Sequence, residues 1–171
     1  MNYTSSIGSA TELECIAAFI KMGYDCSIPY GNSAKYDFIV DTGENLYRIQ
    51  CKSSHVYGGT EECPESFVFN TIRRTTNTKN TTAYNYSNKD VDFFATVFQG
   101  KVYIFPIDFC SNCTSRIIRL TPTKCGIKKG THPAEDFEIE KFFRPAEDYI
   151  NTKDTYLNRK TTNKFIQDKN K

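Results

Sequence analysis

Four polar residues in the first third of the chain have the types and spacing that metal-dependent hydrolysis of a phosphodiester requires. They are Glu12, Asp37, Gln50 and Lys52. Mg²⁺ binds oxygen ligands in an octahedral shell, so Asp37, Gln50 and the backbone carbonyl of Cys51 can supply oxygens to it. Glu12 can hold a metal-bound water, and Lys52 can offset the negative charge that builds on the phosphate.

Two short strands joined by a turn would bring these residues together. The segments YDFIV (36–40) and LYRIQCKSS (46–54) read as strands, and the turn between them predicts an antiparallel hairpin. Side chains alternate along a strand, so Gln50 and Lys52 share one face while Cys51 points into the core. Asp37 then lies level with residues 50–52.

A helix is predicted before this hairpin, over residues 9–22. Ser9 and Glu12 have the spacing of a capping box, apolar residues then recur at helical spacing, and Gly23 is a C-cap residue. Because the helix must cover the sheet, Glu12 in its first turn would approach the end of the hairpin. The alternative is that Glu12 is only a capping glutamate.

The other candidates also have purely structural interpretations. Asp37 could bond a loop amide, and Gln50 and Lys52 could form the solvated face of a strand. The four residues together, in this order and with this parity, favour a site.

The rest of the chain predicts further strands and one long polar segment. The strands are expected at residues 24–29, 66–71, 92–98, 102–107 and 116–120. Residues 72–90 are rich in Thr, Asn and Tyr and predict a long functional loop with a helical turn near 86–90. A helix followed by strands of this kind predicts an α+β domain.

This ordered set of residues resembles the core of the PD-(D/E)XK nucleases, and most closely the group I intron-encoded homing endonucleases of that superfamily. The segment RIQCKSS resembles an R-x-Q-x-K strand, and residues 88–108 resemble its D-x-D-F-F-A and Y-x-x-P strands. The likeness runs from near Gly8 to about Phe143. Tyr36 stands where a proline is usual and Gln50 where a second acid is usual, although the homing branch also uses Gln.

The resemblance implies a restriction-endonuclease-like core of αβββαβ type. Its central mixed sheet would be flanked by helices, with an extra β-hairpin or long loop. The nuclease domain would cover residues 1–145, and residues 146–171 would form a polar tail or a docked helix.

The implied activity is Mg²⁺-dependent (or Mn²⁺-dependent), site-specific cleavage of double-stranded DNA. One site cuts one strand, so a homodimer or homotetramer is expected. Two alternatives stay open: a Holliday-junction resolvase or other structure-selective nuclease on the same core, and a DNA-binding module that has lost catalysis.

Polar and basic residues outside the four suit contacts with DNA, because Arg reads guanine edges and Lys often contacts phosphates. The candidate DNA-binding residues are Ser33, Lys35, Arg73, Arg74, Lys79, Lys128 and Lys129.

Composition excludes little more. The 171 residues carry a formal net charge of +2 and contain no apolar run long enough to span a membrane. No secretory signal is apparent, so a cytoplasmic, nucleoid-associated protein is expected, or a nuclear one in a eukaryotic or viral setting. Seven cysteines without such a signal argue against disulfides. A zinc site of Cys110, Cys113, Cys125 and His132 is disfavoured because the spacing is irregular.

Overall fold

The computed structural model describes residues 3–31, 33–76, 81–123, 126 and 129–146. Its elements follow one another as α1 (Tyr3–Lys21), β1 (Asp25–Ser27), β2 (Phe38–Asp41), β3 (Leu46–Cys51), β4 (Ser54–Val56), β5 (Ser66–Asn70), β6 (Ile72–Thr76), β7 (Thr81–Asn85), β8 (Phe93–Phe98), β9 (Lys101–Pro106), α2 (Ile107–Cys110), β10 (Ser115–Arg119) and two 3₁₀ helices (Ala134–Phe137 and Ile139–Lys141). Among the described residues, no helix is both long and apolar enough to cross a bilayer.

The central sheet has five strands in the order β1-β2-β3-β8-β9. β3 and β8 run parallel, and the other neighbours run antiparallel. This confirms the predicted mixed sheet of an α+β fold. The expected hairpin is β2–β3, in which Phe38 lies opposite Ile49. The register therefore brings Asp37, just before β2, level with Gln50 near the end of β3.

Helix α1 packs on one face of the central sheet. Phe19 is fully buried, and its ring meets those of Phe38 and Phe143 edge-on, with centroids 5.8 and 4.9 Å apart. Burying a phenylalanine side chain stabilises a fold by about 1.5–3 kcal/mol. The packing fixes the helix over β2 and β3, and with it the position of Glu12.

The start of α1 differs from the prediction. The helix begins at Tyr3, so Ser9 and Glu12 lie inside it and the predicted capping box is wrong. The buried residue Thr11 donates a hydrogen bond from its hydroxyl to the carbonyl of Ile7, at 3.0 Å, within the preceding turn. The helix thus starts about two turns earlier than the prediction, whereas the first buried side chain among those described is that of Thr11. Glu12 is not a capping glutamate, which removes the structural interpretation of that residue.

The predicted strand over residues 46–54 divides between two sheets. β3 ends at Cys51, and the chain resumes as β4 in a three-stranded sheet of order β10-β5-β4. The backbone of Lys52 stays attached to β8, because its N–H donates to the carbonyl of Ala95 at 2.9 Å and its carbonyl accepts the hydroxyl of Thr96 at 2.5 Å. Lys52 is therefore held firmly although it lies beyond the strand.

The polar segment that the sequence predicts as a long loop forms a β-hairpin instead. β6 and β7 pair from Ile72 opposite Asn85 to Thr76 opposite Thr81. Thr and Tyr favour strands, and this preference prevails over the low apolar content of the segment. A turn follows, in which the N–H of Asp90 donates to the carbonyl of Ser87 at 2.9 Å.

The crossover between the parallel strands β3 and β8 thus consists of β4, β5 and the β6–β7 hairpin, which stands as a separate two-stranded sheet. Residues 147–171 lie outside the described residues, so the expected boundary near residue 145 stays a prediction.

Candidate active site

Asp37 is fixed at the end of the central sheet by hydrogen bonds from two donors. Its Oδ2 accepts the side-chain Nε2 of Gln50 at 2.5 Å and the backbone N–H of Cys51 at 2.6 Å. Burial raises the pKa of Asp37, while those two bonds and the charge of Lys52 act in the opposite direction. The carboxylate is thus partly desolvated, a state in which it gains most from a cation.

Gln50 is buried and uses both ends of its amide. Nε2 donates to Asp37 and, at 3.1 Å, to the carbonyl of Cys51. Oε1 accepts the hydroxyl of Tyr86 at 3.2 Å. Two acceptor oxygens, one from Asp37 and one from Cys51, therefore converge on a single amide nitrogen.

Lys52 lies on the same face as Gln50, as the alternation of the strand predicts. Its Nζ donates to the hydroxyl of Tyr86 at 3.2 Å and to the carbonyl of Ile72 at 3.4 Å. Burial lowers the pKa of Lys52; the charge of Asp37 opposes that shift and the charge of Arg73 adds to it. The ammonium thus lies between Gln50 of the candidate site and the β6–β7 hairpin.

Glu12 approaches the site from α1. Burial, and then the charge of Asp37, raise its pKa, so the two acids share one electrostatic environment. Glu12 makes no side-chain hydrogen bond within the part of the chain that the structure describes. Its carboxylate is thus available for a water.

The donor set fits a hard divalent cation. Asp37 Oδ2 and the Cys51 carbonyl both accept from Nε2 of Gln50 and so point to one place. The amide oxygen of Gln50 accepts from Tyr86, and it joins them only if the amide turns. All are oxygens, which Mg²⁺ and Mn²⁺ prefer. Across the described ranges no three His, Cys, Asp or Glu side chains gather as a metal cluster, so a site here depends on the carboxamide and carbonyl oxygens.

The thiol of Cys51 faces away from these oxygens, towards α1. The hydrogen bond with Cys15, followed by burial, raises the pKa of Cys51. Cys51 can therefore contribute only its backbone to the site, as the sequence predicts.

Two of the candidate DNA-binding residues, Lys35 and Arg73, line a cleft beside the site. This cleft has a volume of about 300 Å³, and its lining residues are Lys35, Arg73, Tyr84, Asn85, Tyr86 and Asp90. Lys35 is exposed and pairs with Asp90 at 2.6 Å. Arg73 is half-buried at the base of the β6–β7 hairpin, and the neighbouring Arg74 is exposed. Ser33 is exposed in the loop that leads to Asp37.

The structure does not bring the remaining basic candidates to this cleft. Lys129 is exposed in another part of the chain, and Lys79 and Lys128 lie outside the described residues. In the cysteine segment, the thiol of Cys113 donates to the carbonyl of Cys110 at 3.2 Å. Cys125 also lies outside the described residues, so the zinc hypothesis stays open.

Sequence reasoning missed Tyr86 as a member of the site. Its side chain is buried, and its hydroxyl contacts both Gln50 and Lys52. The sequence carries no signal for it, because Tyr84, which has the same parity, is exposed, and a polar neighbourhood gives no reason to expect a buried tyrosine. Burial, and then the charge of Asp37, raise the pKa of Tyr86 to about 12, so the hydroxyl stays protonated.

Comparison with known proteins gives the family and the fold of the chain. A family model described as PD-(D/E)XK endonuclease matches residues 2–140. The chain belongs to this family. Among solved structures, the bacterial homing endonuclease I-Ssp6803I is similar, with a TM-score of 0.64, 21% identity, and coverage of 94% of this chain and 100% of that one. No curated protein matches the chain significantly.

The pattern that gives the PD-(D/E)XK family its name can now be placed on the structure. Tyr36 and Asp37 take the positions of its first pair, and Gln50, Cys51 and Lys52 take those of its second part. Asp37, Gln50 and Lys52 lie together at one end of the sheet. Their catalytic roles stay predictions, as does the role of Glu12.

Proposed function

We propose that the chain is a Mg²⁺-dependent or Mn²⁺-dependent endonuclease of homing type, which cuts both strands of a specific DNA site. The observation that carries this proposal is the convergence of Asp37 Oδ2 and the Cys51 carbonyl beside Gln50 and Lys52. Membership of an endonuclease family supports it. So does the similarity of the fold to a bacterial homing endonuclease.

Each residue has a distinct task in this proposal. Asp37, Gln50 and the Cys51 carbonyl hold the ion, which when bound supplies a Lewis acid that lowers the pKa of water and offsets phosphate charge. Glu12 orients a water. Lys52 stabilises the charge that develops on the phosphate oxygens.

The cleft beside the site supplies contacts with the DNA. Arg73 and Lys35 would contact the backbone near the cut, and the exposed Arg74 would reach base edges in the major groove. One site hydrolyses one strand, so double-strand cleavage requires at least a homodimer, and a homotetramer is also consistent. A DNA substrate places the protein in the nucleoid, or in a nucleus in a eukaryotic or viral setting.

The test is cleavage of a plasmid library of random sites by purified protein with Mg²⁺, followed by sequencing of the ends. We expect ends at one sequence with wild type and none with Asp37→Ala or Lys52→Ala. Lys101→Ala is a matched control that should leave cleavage unchanged, because this exposed lysine pairs with Glu138 at 3.0 Å.

Two results would contradict the proposal. Cleavage that depends on branched DNA and ignores sequence would indicate a structure-selective nuclease. Binding without Mg²⁺-dependent cuts, unchanged in Lys52→Ala, would indicate a DNA-binding module.

A further inference from the structure

The start of β6 and the residue after β7, which lie side by side at the base of the β6–β7 hairpin, both contact the ammonium group of Lys52. The carbonyl of Ile72, the first residue of β6, accepts from Lys52 Nζ at 3.4 Å. The hydroxyl of Tyr86, the residue directly after β7, accepts from it at 3.2 Å. Ile72 also lies opposite Asn85, the last residue of β7. The two strand ends therefore act on the lysine as one unit.

Tyr86 extends this contact to Gln50. Its hydroxyl has one hydrogen to donate and two lone pairs that can accept. It donates to Oε1 of Gln50 and accepts from Lys52, both at 3.2 Å. Its ring meets Phe94 of β8 edge-on, with centroids 5.2 Å apart. Tyr86 thus connects the hairpin to two residues of the candidate site and is itself anchored on the central sheet.

The hairpin is attached to the rest of the described structure mainly at this end. Ile72 and Tyr86 are buried, whereas Arg74, Tyr84 and Asn85 are not. β6 and β7 pair with each other and, within the described residues, with no other strand. A displacement of the exposed part of such a hairpin therefore also displaces its buried end, at Ile72 and Tyr86.

We propose that Tyr86 is a positioning residue through which the β6–β7 hairpin, on contact with duplex DNA, sets the position of Lys52 and of the Gln50 amide. This inference rests on the proposed function, since it names the contact by which DNA binding would assemble that site. Arg74 supplies the contact with DNA, and Tyr86 and the Ile72 carbonyl supply the contact with the site. Chemistry would then be fastest when the hairpin is seated on DNA.

The test uses Tyr86→Phe, which removes the hydroxyl and keeps the ring against Phe94. The substrate is the DNA fragment whose ends are recovered from the library experiment. We expect single-turnover cleavage at saturating DNA to slow about tenfold, which corresponds to a hydrogen bond from a charged group, while the Kd for DNA without metal stays within twofold. Tyr57→Phe is the control, because Tyr57 is exposed and lies outside both site and cleft.

A second comparison separates positioning from a merely structural role. Arg74→Ala should weaken DNA binding and also slow cleavage of bound DNA about threefold, but the slowing should vanish when Tyr86→Phe is already present. Such non-additivity is the mark of coupled residues. A structural role would instead lower the DNA affinity of Tyr86→Phe along with its rate, and the effects of the two substitutions on rate would multiply.

The possible failures are distinguishable. If wild type cuts DNA and Tyr86→Phe cuts equally fast, or if the effects of the two substitutions on rate multiply, the inference is wrong and the proposed function stands. If wild type does not cut any library DNA, the proposed function fails and the inference fails with it.

Discussion

Gln50→Glu is the substitution that most directly probes the candidate site, because it replaces a donor to Asp37 by a second carboxylate. In the wild type, Nε2 of Gln50 lies 2.5 Å from Oδ2 of Asp37. A hydrogen bond to a charged group stabilises a fold by about 1.5–3 kcal/mol. The variant brings two acidic groups into contact in a mostly buried position, and it keeps a donor to Asp37 only when the introduced glutamate is protonated.

Protonation limits the size of the loss. Two unit charges about 3 Å apart repel by roughly 5.5 kcal/mol at an effective dielectric constant of about 20. Keeping a glutamate with an unperturbed pKa of about 4.3 protonated at pH 7 requires about 3.7 kcal/mol. The smaller quantity sets the limit, so we expect the metal-free variant to lose about 2–4 kcal/mol of unfolding free energy at pH 7.

The loss of unfolding free energy should grow as pH rises and shrink when a divalent metal ion binds. The carboxyl of the introduced glutamate has a folded pKa above its unfolded value. The unfolding free energy of the variant is therefore retained at low pH and falls as pH rises. At pH 5, keeping the glutamate protonated requires about 1 kcal/mol, so the expected loss of unfolding free energy falls to about that value. A divalent cation binds two carboxylates more strongly than one carboxylate and an amide, so Mg²⁺ should stabilise the variant more than the wild type.

Urea denaturation measures these effects in EDTA at pH 5 and pH 7, and again with Mg²⁺ at pH 7. Gln99→Glu is the matched control, because Gln99 is exposed in the turn between β8 and β9. An unfolding free energy equal to that of wild type at pH 7 in EDTA, or a loss that does not shrink at pH 5, would refute the reasoning.

Three further predictions follow from the packing and the charges. Phe19→Ala should lower the unfolding free energy by about 3–5 kcal/mol in urea denaturation, because it leaves a cavity in the core. Burial raises the pKa of Asp92, but hydrogen bonds from Arg48 make the net shift downward. A lowered folded pKa means that the ionised Asp92 stabilises the fold above its unfolded pKa, and that this contribution is lost as pH falls. Arg48→Ala should therefore make the unfolding free energy fall less steeply on the acid side of its pH profile. Lys52→Met should raise the melting temperature at pH 7 while abolishing cleavage, because burial lowers the pKa of Lys52 and disfavours its ammonium; an unchanged or lower melting temperature would contradict this.

The candidate site was largely predictable because it depends on local rules. The alternation of a strand places Gln50 and Lys52 on one face, and a hairpin turn between β2 and β3 sets the level of Asp37. These rules need no knowledge of the rest of the chain. The same holds for the β8–β9 hairpin, whose turn at Gln99 and Gly100 has positive φ at both residues.

The errors have a different origin. The start of α1 was misplaced because the spacing of Ser9 and Glu12 also occurs inside a helix, and the chain is already helical from Tyr3. Tyr86 was missed because its hydroxyl contacts Gln50 of β3 and Lys52 just beyond it, which are 36 and 34 residues earlier in the chain. Such contacts depend on how the separate sheets pack against each other, which no local pattern encodes.

The carboxamide at position 50 has a physical rationale in the metal-free protein. Glu12 and Asp37 already have raised pKa values, each from burial, and the charge of Asp37 adds to the shift of Glu12. A third acid would add repulsion in the same place. Gln50 instead donates to Asp37 and to the Cys51 carbonyl, so the two oxygens that would bind an ion are satisfied by the protein itself. The consequence is a site that is stable before metal arrives, but in which the amide must give way or turn for the ion to bind, so metal affinity is reduced relative to a site with a second carboxylate.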